Sequence, residues 1–474
     1  MGLSTTFTDS TSNSGPEVLD ALRRTLEQAR LSPLYAKRLG DRKFQSLDDF
    51  RELPLTTRSD LASAGLHGTR ALPLDRICHY GESSGTTGEP NSTWLTAEDF
   101  ARNARTIKER HPEVFAPGRI LMNRFPFMAA PAHLMQLVAQ MGGGVAIPAG
   151  NINWDVPYPR ALELARHTGA HVVAGFPIEP IVLAQIAQAR GLDPAKDFAI
   201  DTFFLGGAAL PAVMQRRIER VWDARVIELY GSTETMLLGT SCRSRSLHIE
   251  TDLAYCEVLS IDSEEPVEIG EVGRLIVTTL GIEGSPLIRL DTGDRVRWMP
   301  PCSCGDPRPT LAVLGRAEDV VEFGNRSLYT SEIIAAAAAA ADALDSSVFF
   351  TVVMPDRLLV RIETGQVKNG HSGQDPYAAL RDHLGDIRVE VELTQPNSLL
   401  DVEQLGRSPS VYKPVLVSDW RRSGRHTLSI SQGMIEWPRP SLPELYRMLV
   451  RSLRGAARAR RLRRELRVAK TSGR

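Results

Sequence analysis

The sequence has no long hydrophobic run. A helix that crosses a bilayer needs about 20 mostly apolar residues, and the longest candidate, Ile333 to Ala341, is an alanine-rich stretch typical of a helix inside a folded domain. The N-terminus also lacks the apolar segment of a secretion signal. Its first six residues match the loose N-myristoylation pattern, but the composition of residues 1–15 favours a disordered polar leader. The sequence therefore predicts no membrane span.

The chain also has few cysteines and almost no net charge. Five cysteines in 474 residues do not suggest a disulfide framework, which favours a reducing cytoplasm. The formal net charge of −1 argues against a protein whose whole surface binds nucleic acid. A chain of this length exceeds what one core supports, so two or more domains are expected.

Hydroxyl groups and glycines are abundant in one stretch, from Tyr80 to Asn91, which reads YGESSGTTGEPN. Glycines let successive backbone amides converge on an anion, and Ser and Thr add neutral donors. The stretch therefore predicts a phosphate-holding loop, with an ordinary surface turn as the alternative. It lacks the Gly-Lys-Ser/Thr ending of the nucleoside triphosphatase loop, which excludes that class.

Three further motifs follow in order: ELYGSTET at 228–235, IRLDTGD at 288–294, and GRAED at 315–319 with Gly324 behind it. Together with SSGTTGxP they resemble the acyl-adenylate-forming superfamily over about residues 17 to 420. Residues 32–35 and 53–61 are similar to the N-terminal helical segment of its phenylacetate-CoA ligase branch. The resemblance implies an enzyme that uses ATP to convert a carboxylic acid into acyl-AMP and then passes the acyl group to CoA.

The order of predicted strands and helices indicates an α/β fold. Strands alternate with helices between residues 119 and 205, which predicts parallel or mixed sheets covered by helices. Beyond Asp252 strands and turns dominate, and Gly315-Arg316 marks a boundary. We expect a leader at 1–15, a large N-terminal domain at 16–314, a small mobile α+β domain at 315–420 and a basic helical tail at 421–474.

The resemblance assigns residues to ATP. Tyr230 would stack on adenine, Glu234 would hold Mg²⁺ between phosphates, and Thr233 would lie near the α-phosphate, although the same stretch is also typical of a strand end that caps a helix. Gly206-Gly207 and Gly231 fall where parallel strands end, at the edge where such sheets bind ligands. The remaining phosphate-loop candidates are Ser83, Ser84, Gly85, Thr86, Thr87 and Gly88.

Four more residues gain a role from the resemblance. Asp294 would accept hydrogen bonds from both ribose hydroxyls, and Arg316 would contact the ribose or phosphate. Glu318 occupies the hinge position about which the small domain rotates. Gly324 corresponds to the glycine that lines the pantetheine tunnel. Alone, such Asp and Arg residues would be read as surface ion pairs.

Lys413 resembles the mobile lysine that bridges the substrate carboxylate and the α-phosphate, with a solvated surface lysine as the alternative. The chain also departs from the family pattern. Glu89 and Asn91 stand where the family usually offers a loop lysine, which removes a cation from the triphosphate, and the segment after Gly324 diverges. These departures leave the acyl acceptor open between CoA, an amine and a carrier protein. A silent nucleotide-binding relative, or activation of a non-carboxylate substrate, is the further alternative.

Cys242, His248, Cys302 and Cys304 offer three thiolates and an imidazole, a set suited to tetrahedral zinc. Similar Cys/His sets recur in the phenylacetate-CoA ligase branch. The alternatives are four unconnected residues or Cys256 as one ligand. Only magnesium is expected as a catalytic metal.

Small and aromatic residues suggest where the acid binds: Phe125, Phe176 and Ala208 would wall a pocket for a flat aryl acid. His133 would orient the carboxylate or, alternatively, be a core histidine. From Ala456 to Arg474 eight basic residues accompany one acid, Glu465. We interpret this tail as a solvated helix end, with anchoring to anionic lipid, nucleic acid or an acidic carrier as the alternative. The oligomeric state stays open, a homodimer included.

Overall fold

The structure, a computed structural model, describes residues 16–82, 91–127, 129–150, 156–324, 326–364, 375–403, 415–421 and 426–434. The chain divides into two compact units, residues 1–434 and 435–474, and every described residue belongs to the first. Within the described ranges no helix is long and apolar enough to cross a membrane.

Four short helices begin the described chain. Hydroxyl side chains cap three of them, since Ser32, Ser46 and Thr57 each accept a hydrogen bond from a backbone amide three residues later. Such caps stabilise a helix by about 1 kcal/mol each. The helices are α1 (Pro16–Ala29), α2 (Pro33–Leu39), α3 (Leu47–Arg51) and α4 (Arg58–Ser63). Buried apolar side chains of α1, α2 and α3 form a small core with Tyr255 and Ile288 from further along the chain, whereas Leu61 of α4 packs with Leu287 and Leu290.

An eleven-stranded mixed sheet dominates the large domain. Its spatial order is β10-β11-β12-β13-β9-β8-β7-β6-β5-β3-β4. The neighbours among β4, β3, β5, β6 and β7 run parallel, and the other pairs run antiparallel. The strands are β3 (Ile120–Asn123), β4 (Val145–Pro148), β5 (Val172–Gly175), β6 (Thr202–Gly206), β7 (Arg225–Ser232), β8 (Met236–Ser241), β9 (Leu247–Ile249), β10 (Ala254–Leu259), β11 (Val272–Thr279), β12 (Leu290–Met299) and β13 (Thr310–Arg316).

Five helices of this domain connect or flank the strands: α5 (Ala97–Arg110), α6 (Ala130–Met141), α7 (Tyr158–Thr168), α8 (Glu179–Ala189) and α9 (Ala212–Trp222). Strands β1 (His79–Glu82) and β2 (Ser92–Leu95) pair as an antiparallel hairpin, and they flank residues 83–90 in the sequence. Because β3, β5, β6 and β7 are parallel, the residues that follow them meet at one edge of the sheet. The predicted site residues at 206–207 and 230–234 lie at this edge.

The chain after β13 forms separate, smaller sheets. A 3₁₀ turn (Ala317–Asp319) leads into the hairpin β14 (Val321–Phe323) and β15 (Arg326–Leu328). A four-stranded sheet follows, in the order β18-β17-β16-β19. Its elements are α10 (Thr330–Ala343), β16 (Phe349–Val353), β17 (Leu358–Glu363), α11 (Pro376–Leu384), β18 (Val389–Thr394), β19 (Val417–Asp419) and α12 (Ile430–Met434).

The predicted fold class is confirmed: a large mixed sheet with helices precedes a small α+β unit. The exact domain boundaries and the mobility of the small unit stay predictions. Residues 426–434 were assigned to the tail, and the structure places buried Ile430 and Ser431 there, with the Ser431 amide bonded to the Leu399 carbonyl. The predicted leader and the basic run from 456 onward lie outside the described residues.

Candidate nucleotide and acyl site

A cavity opens at the carboxyl end of β7. Both the parallel and the antiparallel part of the sheet contribute to it. Strands β7 and β8 form one wall, and the start of β12 forms another. Helix α4 and the end of β13 complete the lining. The lining residues are Arg58, Leu61, Asn91, Tyr230, Gly231, Ser232, Glu234, Thr235, Leu238, Leu290, Thr292, Asp294 and Arg316.

One wall is the turn between β7 and β8. Two side chains stabilise it, because the Ser232 amide donates to Thr235 Oγ1 at 3.1 Å and the Thr235 amide donates to Ser232 Oγ at 3.1 Å. Gly231 has no room for a side chain, since an added Cβ would lie 2.0 Å from the Met236 carbonyl oxygen. The turn presents Glu234 to the cavity. The alternative that this stretch caps a helix is wrong, because it continues into β8.

The floor of the cavity joins three residues that sequence reasoning treated separately. Tyr230 donates its hydroxyl hydrogen to Asp294 Oδ2 at 2.7 Å. Arg316 Nε lies 3.3 Å from Asp294 Oδ1, and Arg316 Nη1 donates to the Thr292 carbonyl at 2.6 Å. Burial raises the pKa of Asp294 above its ordinary value although Arg316 and the Tyr230 hydrogen bond oppose the shift. Burial also raises the pKa of Tyr230 well above 10.

Asn91 connects the end of the phosphate-loop stretch to this site. It is buried, and its Nδ2 donates to Glu234 Oε1 at 3.2 Å. The residue directly after 83–90 therefore lies beside the predicted magnesium ligand. Ser83, Ser84, Gly85, Thr86, Thr87 and Gly88 themselves lie outside the described residues, as do Glu89 and Lys413.

Sequence reasoning missed part of the lining. Arg58 and Leu61 come from α4, which the motif comparison used only to narrow the family, and Thr292 lies two residues before Asp294. Arg58 directly follows the Thr57 cap, and no local pattern in the sequence indicates that α4 packs against β12. Thr233 belongs to the same turn as Glu234 yet is not among the residues that line the cavity.

Two predicted pocket residues face each other where β3 and β5 end. The rings of Phe125 and Phe176 lie 5.8 Å apart, edge to face. Phe176 also leaves no room for a side chain at Gly207, just after β6, because an added Cβ would lie 2.8 Å from its ring. Gly206 is equally constrained, since an added Cβ would lie 2.4 Å from the Leu229 carbonyl oxygen. Ala208 follows as an exposed residue. Phe125 and Phe176 are both buried, and neither lines the cavity at the end of β7.

His133 is exposed, so the alternative of a core histidine is wrong. Its ring lies 4.5 Å from the ring of His79, and its Nε2 lies 3.1 Å from the Phe127 carbonyl oxygen. Burial, together with the neighbouring His133, lowers the pKa of His79 to about 4. The pair thus forms an aromatic group with Phe100 and Phe127.

Glu318 and Gly324 follow the cavity along the chain. Glu318 is exposed in the 3₁₀ turn immediately after Arg316. Gly324 lies in the turn between β14 and β15 with φ of 58°, a conformation that favours glycine. Their predicted roles as hinge and tunnel residues stay predictions.

The four predicted zinc ligands come together although 60 residues separate Cys242 from Cys302. Their ligand atoms all lie within 4.8 Å of one another. Cys242 Sγ and Cys302 Sγ are 3.7 Å apart, and Cys304 Sγ lies 3.4 Å from His248 Nε2. Tetrahedral ligands about 2.3 Å from zinc would be about 3.8 Å apart. The four residues therefore have a suitable spacing for the ion.

Neighbouring backbone groups make polar contacts with two of these side chains. His248 is buried, and its Nδ1 lies 3.1 Å from the Arg308 carbonyl oxygen, an acceptor that would orient the ring so that Nε2 faces a metal. The Ser244 amide donates to Cys242 Sγ at 3.3 Å. Cys256 does not belong to the cluster, and burial raises the pKa of its thiol to about 12. All five cysteines are free thiols.

The fold and these motifs define a nucleotide-using enzyme, and comparison with known families agrees. The family model described as AMP-binding enzyme matches residues 42–282. The chain belongs to this family.

Similar proteins indicate the branch of the family to which the chain belongs. The phenylacetate-coenzyme A ligase of Thermus thermophilus is 25% identical over 319 residues, which cover 66% of this chain and 69% of that protein. A probable non-canonical nonribosomal peptide synthetase, CymA, of Salinispora arenicola is 27% identical over 376 residues, covering 71% of this chain but 4% of that protein. The predicted phenylacetate-CoA ligase-like branch of the adenylate-forming superfamily is confirmed.

A solved structure shows the same fold. The crystal structure of 2-hydroxyisobutyryl-CoA ligase, in the postadenylation state with R3-HIB-AMP, matches with a TM-score of 0.72 at 23% identity. The match covers 85% of this chain and 89% of that one.

Proposed function

We propose that the protein activates a carboxylic acid with ATP, forming acyl-AMP and pyrophosphate, and then transfers the acyl group to the thiol of CoA. The observation that carries the proposal is the cavity in which Tyr230, Asp294 and Arg316 form a connected floor and Glu234 faces them. The similarity to phenylacetate-coenzyme A ligases supports the choice of reaction.

The cavity residues suit the nucleotide part of ATP. The Asp294 carboxylate is the group that would accept hydrogen bonds from ribose hydroxyls, and Arg316 holds it in place through Oδ1. The Tyr230 ring, at the floor of the cavity, would contact the base. Mg²⁺, when bound, would reduce the negative charge of the phosphates, and Glu234 is the residue that would hold it.

In the first half-reaction, an oxygen of the acid would attack the α-phosphorus of ATP while pyrophosphate leaves. Both reactants are anions, so the site must supply cations and hydrogen-bond donors. The resemblance assigns one cation to Lys413. In the second half-reaction, the CoA sulfur would attack the acyl carbon and AMP would leave, once the small domain has rotated about Glu318 and opened the tunnel at Gly324.

An aryl acid is the substrate class that we favour. The rings of Phe125 and Phe176, which contact each other edge to face at the ends of β3 and β5, would contact its aromatic ring. His133 contributes from the neighbouring aromatic group, where it would orient the carboxylate.

The Cys/His cluster would bind one structural zinc ion. The observation that supports this proposal is the mutual approach of its four ligand atoms, within 4.8 Å. The ion would tie the β8–β9 turn to the loop between β12 and β13, which contains Cys302 and Cys304. Free thiols and the use of ATP and CoA are in keeping with a cytoplasmic location.

The proposal is tested by incubating the purified chain with ATP, Mg²⁺ and a panel of aryl and aliphatic acids, with and without CoA. Mass spectrometry would detect the acyl-CoA thioester, and a pyrophosphate assay would detect formation of acyl-AMP in the first half-reaction. We expect an aryl acid to give a thioester, Asp294→Ala to abolish it, and the exposed control Asp262→Ala to retain it. Pyrophosphate release without thioester would instead favour an amine or carrier protein as acceptor. The similarity to a peptide synthetase motivates that second candidate.

A further inference from the structure

Arg58 is a cation of the nucleotide cavity whose donors are uncommitted. It lines the cavity together with Arg316. Arg316 is occupied, since it binds Asp294 and the Thr292 carbonyl. Within the described residues the side chain of Arg58, in contrast, forms no hydrogen bond and no ion pair, and it acts on Asp294 only through its charge, which lowers the pKa of that carboxyl.

The position of Arg58 is fixed by its neighbours. The Thr56 amide donates to the Arg289 carbonyl at 2.8 Å, and the Asp291 amide donates to the Thr56 carbonyl at 2.8 Å. This bridge attaches the start of α4 to the start of β12. Arg58 Cδ consequently lies 3.7 Å from where a Cβ on Gly293 would be, directly beside Asp294.

The acid nearest in sequence does not neutralise it. Asp60 accepts hydrogen bonds from the Thr57 amide at 2.8 Å and the Thr57 hydroxyl at 2.7 Å. Its other oxygen pairs with Arg38 at 3.1 Å. The donors of the Arg58 guanidinium are therefore not taken up by Asp60.

The charges in this site call for such a cation. Glu234 and Asp294 are acids, and Arg316 compensates for one of them. The triphosphate adds about four negative charges at neutral pH, yet the loop stretch has Glu89 where its family usually has a lysine. Guanidinium groups bind phosphate oxygens in a two-donor geometry, which makes arginine suited to this task.

We propose that Arg58 binds the phosphate chain of the nucleotide and supplies the positive charge that the loop lacks. The inference rests on the proposed function in that ATP is the ligand. It assigns a binding role to the N-terminal helical segment, which otherwise packs as a small core beside the sheet.

Binding measurements without any acid test this role separately from turnover. The affinities of the full chain for ATP and for adenosine, each with Mg²⁺ present, would be compared for wild type, Arg58→Gln, Arg58→Lys and Arg24→Gln. Arg24 lies exposed on α1 and gives a matched control for the charge change. Thermal unfolding of each variant would show that it is folded.

We expect Arg58→Gln to weaken ATP binding roughly tenfold or more and to change adenosine binding by less than about twofold. Arg58→Lys should recover part of the loss, and Arg24→Gln should behave as wild type. An equal loss for ATP and adenosine would overturn the proposal, because Arg58 would then act through Asp294 on the ribose. Unchanged ATP affinity would overturn it as well. A wild-type chain that fails to bind ATP would instead overturn the proposed function itself.

Discussion

Tyr230 and Asp294 are joined by a hydrogen bond of 2.7 Å across the floor of the cavity at the carboxyl end of β7. Tyr230 lies near the end of β7, in the parallel half of the sheet, and Asp294 lies on β12, in the antiparallel half. The bond therefore connects the two halves at the point where ATP is expected. One Asp294 oxygen, Oδ2, therefore already accepts a hydrogen bond in the absence of a ribose.

The first prediction concerns the pH dependence of nucleotide binding. Burial raises the pKa of Asp294, while the hydrogen bond from Tyr230 lowers it. Only the carboxylate can accept from both ribose hydroxyls, so ATP affinity should be lost as the pH falls through this raised pKa. Tyr230→Phe keeps the ring but removes the bond, and should move the midpoint to higher pH. Affinities of both proteins measured over a pH series would check it, and an unchanged midpoint would contradict this account.

A second prediction concerns stability through Glu228, on β7. Burial raises the pKa of this carboxyl to about 7. The folded state thus holds the proton more tightly than the unfolded state, so folding is favoured at low pH, and that advantage is lost as the pH rises through about 7. Glu228→Gln should raise the free energy of unfolding by roughly 1–3 kcal/mol near pH 8 and have little effect near pH 5. Urea unfolding at both pH values is the measurement. The exposed Glu265→Gln is the control, and equal effects at both pH values would refute the prediction.

The third prediction concerns zinc. The purified chain should contain about one zinc ion, and Cys302→Ser should lose it because three ligands hold the ion more weakly. A strong chelator should lower the melting temperature of the wild type and leave that of the variant nearly unchanged. Cys78→Ser, at an exposed cysteine outside the cluster, should behave as wild type. A fully reduced chain without zinc, grown with zinc available, would show that the cluster is not a metal site.

The fourth prediction concerns the contact between α9 and the end of α10. Arg217 binds Asp345 Oδ1 at 2.5 Å, the Asp345 carbonyl at 2.7 Å and Ser347 Oγ at 3.0 Å. Arg217→Ala should lower the opening free energy of this segment by roughly 1–2 kcal/mol. Amide hydrogen exchange of residues 342–347 would then be faster. Arg243→Ala, at a side chain that is 74% exposed, should not change it. Equal exchange in both variants would show that the contact adds no stability.

Much of the fold and the site could be predicted because the informative features are local. The alternation of strands and helices before residue 205 indicates the parallel sheet, and the motifs at 228–235 and 288–294 identify Glu234, Tyr230 and Asp294. The Cys/His set was also recognisable, since its ligand types and the Cys-x-Cys spacing are typical of zinc sites.

The rest depends on contacts between distant segments. That α4 packs against β12 follows from the bridge at Thr56, which no local pattern reveals, so Arg58 went unnoticed. The bond between Tyr230 and Asp294 likewise depends on the register of β8, β9 and β13, the three strands that lie between β7 and β12. The exposure of His133 could not be foreseen either, because its helix is apolar on both sides of it in the sequence.

The most direct test of the central claim is acid-dependent exchange of labelled pyrophosphate into ATP without CoA. This exchange requires reversible formation of acyl-AMP and nothing beyond it. We predict exchange with an aryl acid, its loss in Lys413→Ala, and its retention in Lys43→Ala, a control at an exposed lysine. A wild-type chain that binds ATP yet catalyses no exchange with any acid of a broad panel would contradict the account.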